Sequence, residues 1–65
     1  MPKYPNVSVR LIGEDGNAFA ILGTVMAALK RGKVPLAEAE EFMAEATSGD
    51  YDHLLDTVTT WVNVE

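Results

Sequence analysis

Residues 50–65 read DYDHLLDTVTTWVNVE, and this segment carries two structural patterns at once. Its apolar residues recur at helical spacing: Tyr51, Leu54, Leu55, Val58, Trp61 and Val62. The second half, TVTTWVNV at 57–64, is also rich in β-branched residues and alternates as a strand does. We therefore expect a third helix that begins at about 51 and ends at Trp61 or Val62, with Trp61 in the core.

The last residues, VNVE at 62–65, need a partner if they form a strand, because an isolated strand leaves both edges unpaired. The stretch NVSVRLIG at 6–13 alternates apolar and polar residues from Val7 to Leu11. This predicts a first strand at about 6–12, with Pro5 marking where pairing begins. The C-terminal residues are expected to lie beside it, and pairing with a second subunit is the alternative.

Helix 1 is predicted from about 17 to 31. Its apolar residues at helical spacing are Phe19, Leu22, Met26 and Leu29, with Ala18 and Val25 beside them. Gly32, directly after Lys30 and Arg31, is a C-terminal stop signal.

Helix 2 is predicted to begin with Pro35 in its first turn and to end at Ser48 and Gly49. Its apolar stripe consists of Leu36, Ala39, Phe42, Met43 and Ala46. Asp50 is the expected N-cap of helix 3. The chain is thus expected to form one α+β domain over residues 1–65, a βααα unit with a short C-terminal strand that pairs with the first strand.

Charge is divided unevenly along the chain. Residues 1–33 carry five Lys or Arg against two acids, a net charge of +3, whereas residues 34–65 carry eight acids and no Lys or Arg. Nucleic acids and anionic membranes require a basic surface, so neither is an expected partner. The chain has no cysteine, no apolar run of transmembrane length and no secretory signal pattern, and we expect a cytoplasmic protein.

The segment GEDGNAF at 13–19 joins a strand to a helix through two glycines, which is the context of a phosphate-binding turn. Glu14 and Asp15 would repel a phosphate, and the spacing matches no nucleotide-binding motif. We expect a tight turn at Asp15 and Gly16, with Asp15 or Asn17 capping helix 1. No cofactor is predicted.

The segment DYDHLLD at 50–56 places Asp52, His53 and Asp56 on the expected solvent face of helix 3. With Asp50, these residues are the candidates for a metal-assisted enzyme, which is the alternative function. A single exposed helix supplies neither burial nor a second element that fixes the geometry of a site. We therefore predict no catalytic residues and no metal ligands.

Small side chains line helix 1 at Ala20, Gly23, Thr24, Ala27 and Ala28. Glycine inside a helix costs about 1 kcal/mol relative to alanine, so a compensating close contact is expected at Gly23. The favoured contact is another backbone or a ring such as Trp61 within the chain. The alternatives are a homodimer axis, or docking as a structural subunit of an assembly such as a phage particle.

Five acids on helices 2 and 3 form the candidate partner surface: Glu38, Glu41, Glu45, Asp52 and Asp56. An acidic surface can attract a basic partner or imitate nucleic-acid phosphate. The predicted function is a small, acidic, non-enzymatic protein-interaction or regulatory module.

The segments GEDGNAF at 13–19, EATSGDYDHLL at 45–55 and WVNVE at 61–65 resemble a group of short, uncharacterised bacterial and phage-associated proteins. This resemblance implies a stand-alone small protein and assigns no activity. In addition, EFMAEATSGDYDHLL at 41–55 followed by Trp61 is similar to the last two helices of ubiquitin-associated-type domains. The chain has RGKVP at 31–35 where those domains have a Met-Gly-Phe or Met-Gly-Tyr loop.

Overall fold

The computed structural model describes residues 1–11 and 17–65. Its elements, in chain order, are β1 (Tyr4–Val9), α1 (Ala18–Arg31), α2 (Leu36–Ala46), α3 (Tyr51–Trp61) and β2 (Val62–Val64). The α+β class, the three helices and the pairing of a C-terminal strand with the first strand are confirmed. The expected turn at Asp15 and Gly16 lies outside the described residues.

The two strands pair in parallel, with Tyr4 opposite Val62 and Val9 opposite Val64. Parallel strands require a crossover connection, and α1, α2 and α3 form it. Two backbone hydrogen bonds close the ends of the pair, from Lys3 N to Thr60 O at 2.8 Å and from Glu65 N to Val9 O at 2.8 Å. β1 begins at Tyr4, earlier than the predicted start, and includes Pro5. The proline is tolerated because each strand of a two-stranded sheet has an open edge.

Side-chain caps set the starts of α1 and α3. The Asn17 carboxamide oxygen accepts a hydrogen bond from the Ala20 amide at 3.0 Å. The Asp50 carboxylate accepts one from the His53 amide at 2.9 Å. Both residues were candidate caps from the sequence, and each satisfies a backbone donor that has no partner within its helix.

The core lies between the three helices and the strand pair. Its largest buried side chains include Phe42, Ile21, Leu29, Val58 and Val62, and Trp61 is only 4% exposed, which confirms the prediction that Trp61 is core. Two residues of the predicted apolar stripes do not lie in the core: Phe19 is 88% exposed and Leu36 is 71% exposed.

The error at Phe19 has a physical cause in the composition of α1. This helix has apolar side chains on most of its circumference, so its periodicity does not single out one face. Packing buries the face that carries Ile21, Val25 and Ala28. Phe19 falls outside that face and points to solvent.

The expected close contact at Gly23 within the chain is also wrong. A Cβ atom placed on Gly23 would meet nothing within 4 Å among the described residues, and the residue is exposed. Trp61 instead packs on Phe42 and Tyr4. Gly49 is the opposite case, because a Cβ atom there would lie 2.8 Å from Cγ of His53.

Alanine substitutions at these two glycines are predicted to have opposite effects on the free energy of unfolding. Gly23→Ala should raise it by up to about 1 kcal/mol, because alanine is the better helix former and meets open space. Gly49→Ala should lower it by about 1–3 kcal/mol, because the His53 ring must be displaced. Urea denaturation of the two variants beside the wild type at about 1 µM protein measures both changes in the single chain. A loss of stability in Gly23→Ala under these conditions would contradict the open environment of that residue.

Candidate functional site

Among the residues that the structure describes, two of the five acids of the candidate partner surface are bonded to residues of other elements, and the other three are not. α2 carries Glu38, Glu41 and Glu45, α3 carries Asp52 and Asp56, and these two helices pack directly on each other. Glu38 and Glu45 are bonded to residues of other elements. Glu41, Asp52 and Asp56 are exposed, and their carboxylates form no hydrogen bond or ion pair with another described residue.

Glu45 is tied to the buried Trp61. Its Oε2 accepts a hydrogen bond from the indole Nε1 at 2.7 Å. The indole ring also packs edge-on against Phe42, with ring centroids 5.6 Å apart, and lies 6.0 Å from the Tyr4 ring. A buried indole N–H needs an acceptor, so Glu45 serves the fold.

Glu38 is tied to the N-terminal strand. The Tyr4 hydroxyl donates a hydrogen bond to Glu38 Oε1, and Lys3 Nζ lies 3.2 Å from the same oxygen. Lys3 Nζ also lies 4.3 Å from the centroid of the Trp61 ring, within the range of a cation–π contact. These contacts join β1 to α2 and neutralise part of the negative charge of Glu38.

The Tyr4–Glu38 contact shifts the pKa of both groups. The hydrogen bond to the Glu38 carboxylate raises the pKa of Tyr4 from 10.0 to about 12. The same bond, followed by the hydrogen bond from Lys3, lowers the pKa of Glu38 below its ordinary 4.5. Each shift favours the pairing of a neutral phenol with an ionised carboxylate.

The structure corrects the expected position of His53. Its side chain is half-buried, and Nε2 lies 2.9 Å from the Glu45 carbonyl oxygen and 3.1 Å from Ser48 Oγ. The Ser48 hydroxyl donates to the same carbonyl at 2.7 Å. His53 and Ser48 therefore close the C-terminal end of α2, where backbone carbonyls lack partners within the helix.

The other candidate residues for a metal-assisted enzyme do not lie around His53. The Asp50 carboxylate caps α3, and Asp52 and Asp56 are exposed. Within residues 1–11 and 17–65, no three His, Asp or Glu side chains form a group that could hold a metal ion.

Sequence reasoning identified the five acids and missed the partners of two of them. Tyr4 lies 34 positions from Glu38 along the chain, and Trp61 lies 16 positions from Glu45. No local motif signals contacts across such separations. The spacing of Glu38, Glu41 and Glu45 placed them correctly along one side of α2.

The sequence matches no family model, and neither the curated proteins nor the solved structures compared with it contain a match. The resemblances to short phage-associated proteins and to ubiquitin-associated-type domains therefore remain predictions. In the part of the chain that the structure describes, no helix is long and apolar enough to cross a membrane.

The Tyr4–Glu38 contact is predicted to lose its contribution to stability at both ends of the pH range. Because the pKa of Glu38 is lowered, its stabilisation is present above pH 4.5 and is lost as pH falls through the lowered pKa. Because the pKa of Tyr4 is raised, its stabilisation is present below pH 10.0 and is lost as pH rises toward 12.

Phenolate absorbance checks this prediction in a Tyr51→Phe background, where Tyr4 is the only tyrosine that remains. Glu38→Gln should return the pKa of Tyr4 toward 10.0, because the amide carries no charge that disfavours the phenolate. An unchanged titration in Glu38→Gln would mean that the carboxylate does not hold the phenol in solution.

Proposed function

We propose that this protein is a small, non-enzymatic interaction module that binds a basic protein partner through the acidic surface of α2 and α3. The observation that supports this proposal is the division among the acids. Glu38 and Glu45 are used within the fold, while Glu41, Asp52 and Asp56 remain exposed without a counter-charge among the described residues. We define these three residues as the free acidic surface.

The distribution of charge supports a basic partner. Residues 34–65 contain no Lys or Arg, so this half of the chain supplies no cation of its own to the free acidic surface. Lys3 and Arg10, from the N-terminal half, are paired with Glu38 and Glu65. An unneutralised acidic surface accelerates encounter with a basic partner and repels nucleic acid and anionic membranes.

Glu38 and Glu45, the two acids bonded within the fold, support the proposal indirectly. The contacts of Glu38 with Tyr4 and of Glu45 with Trp61 fix α2 against β1 and α3. The free acidic surface is therefore carried on elements whose relative positions are set by the core. A surface that is already ordered loses little conformational entropy when it binds.

The test requires variants that change charge without removing a structural contact. Glu45 and Glu38 are unsuitable, because their replacement also removes the partners of Trp61 and Tyr4. Glu41→Lys with Asp56→Lys reverses two charges of the free acidic surface. Glu40→Lys is the matched control for Glu41→Lys alone, because each reverses one charge and Glu40 is exposed on the same helix, about 100° away from Glu41.

We predict that the association rate with the basic partner falls steeply between about 50 mM and about 500 mM salt, while the dissociation rate changes less. The partner is identified first, by capture from the native cell at a defined stoichiometry, and stopped-flow measurements then give both rates. The double variant should bind at least about tenfold more weakly, and Glu40→Lys should change binding less than Glu41→Lys alone. Salt-independent binding that the double variant retains would refute the proposal.

A further inference from the structure

An apolar surface runs along the outer side of α1 and is separate from the free acidic surface. Phe19, Gly23, Met26 and Lys30 follow one another at i, i+4, i+7 and i+11, so they share one side of this helix. Phe19 is 88% exposed, which is unusual for an aromatic side chain in a chain with so small a core. Leu36, at the start of α2, is 71% exposed.

A groove opens at the C-terminal end of the same side of α1. Its volume is about 560 Å³, and its walls are Met26, Ala27, Lys30, Val34, Leu36 and Ala39. Five of these six residues are apolar, so the groove suits an apolar side chain.

Phe19 and the groove lie on opposite sides of Gly23 along the helix axis. At 1.5 Å per residue, Phe19 is about 6 Å before Gly23, and the groove residues from Met26 to Lys30 are about 4.5–10 Å after it. A two-fold axis that passes through Gly23 perpendicular to α1 would exchange these positions. It would bring Phe19 of each copy to the groove of the other copy, which is the self-complementary relation of a symmetric dimer interface.

We propose that this face binds a second copy of the chain, with the two α1 helices antiparallel and crossing at Gly23. Each Phe19 ring enters the partner's groove beside Met26 and Leu36, and the Lys30 ammonium lies near the ring. The missing side chain of Gly23 lets the two backbones approach at the crossing point. This contact supplies the compensation for an interior helix glycine that the single chain does not provide.

The charge distribution favours a second copy on this face over the acidic surfaces of α2 and α3. Each copy carries a net charge of −5, so two copies repel each other unless they meet where acids are absent. The helix α1 (Ala18–Arg31) contains no Asp or Glu. In the antiparallel arrangement the two Lys30 residues lie about 20 Å apart along the axis, beyond the Debye length of about 8 Å at physiological salt.

The size of the face is also adequate. A stable dimer buries about 800 Å² per copy. That area is roughly a fifth of the 4171 Å² accessible surface of the chain. Half of the accessible surface, about 2090 Å², lies on one side of the molecule, and the required area is about two fifths of that half.

Sedimentation equilibrium of the full chain tests the proposal from about 1 µM to about 1 mM protein. The wild type should change from the monomer mass of 7.1 kDa to twice that mass as concentration rises. Phe19→Ser and Gly23→Gln should each weaken dimerisation by at least about tenfold, because one empties the groove and the other separates the helices. Thr59→Gln, at an exposed position of α3, is the control and should dimerise as the wild type does.

Folding and register are checked separately. Circular dichroism should show both α1 variants folded, because Phe19 is exposed and glutamine is a better helix former than glycine. The chain has no cysteine, so Gly23→Cys introduces a single thiol. Near the axis it should oxidise readily to a disulfide-linked dimer, whereas Thr59→Cys should not.

Two results would overturn the proposal. One is a wild-type chain that stays monomeric up to about 1 mM, which would leave the groove for a different protein or a small apolar ligand. The other is a dimer whose stability neither Phe19→Ser nor Gly23→Gln changes, which would place the interface on another face.

Discussion

This fold depends on the contacts that bury the Trp61 indole. The ring lies at the end of α3, packs against Phe42 of α2 and Tyr4 of β1, and donates its N–H to Glu45. The next residue, Val62, begins β2, so the position of the ring also sets where the strand pair starts. A domain of this size has little stability to spare, and removal of a buried tryptophan costs about 3–5 kcal/mol, which is comparable to the whole.

The acidic residues of this chain have two different physical roles. Carboxylates that meet a buried donor or a nearby cation, as Glu45 and Glu38 do, hold secondary-structure elements together. Glu41 lies between them on α2 and remains exposed, as do Asp52 and Asp56 on α3. A negative net charge alone therefore does not identify a binding surface, because the residues that contribute it differ in whether the fold already uses them.

The two proposed surfaces share α2, because Leu36 lines the groove and Glu41 belongs to the free acidic surface. These two residues are five positions apart and point about 140° away from each other, so one surface does not block the other. A dimer formed through α1 would leave the free acidic surface of both copies accessible on α2 and α3. It would then carry two acidic surfaces, and a partner with two basic sites would bind more tightly through the higher effective concentration of the second contact. For so short a chain, burying the exposed Phe19 and Leu36 against a second copy also adds apolar area that the single core lacks.

Local sequence determined the secondary structure of this protein, and tertiary packing determined which surfaces are exposed. The caps Asn17 and Asp50, Pro35 before α2 and the stripe through Leu54, Val58 and Trp61 are local signals, because each depends on residues within a few positions along the chain. The C-terminal strand also followed from the sequence, since an unpaired strand edge needs a partner.

Of the candidate surface, the identity of the five acids was predictable, but which of them are bonded within the fold was not. The contacts of Glu38 with Tyr4, of Glu45 with Trp61 and of His53 with the end of α2 join residues that only the folded chain brings together. The burial of Ile21 in place of Phe19 was decided in the same way, because α1 is apolar on several sides and only its neighbours select the face that turns inward.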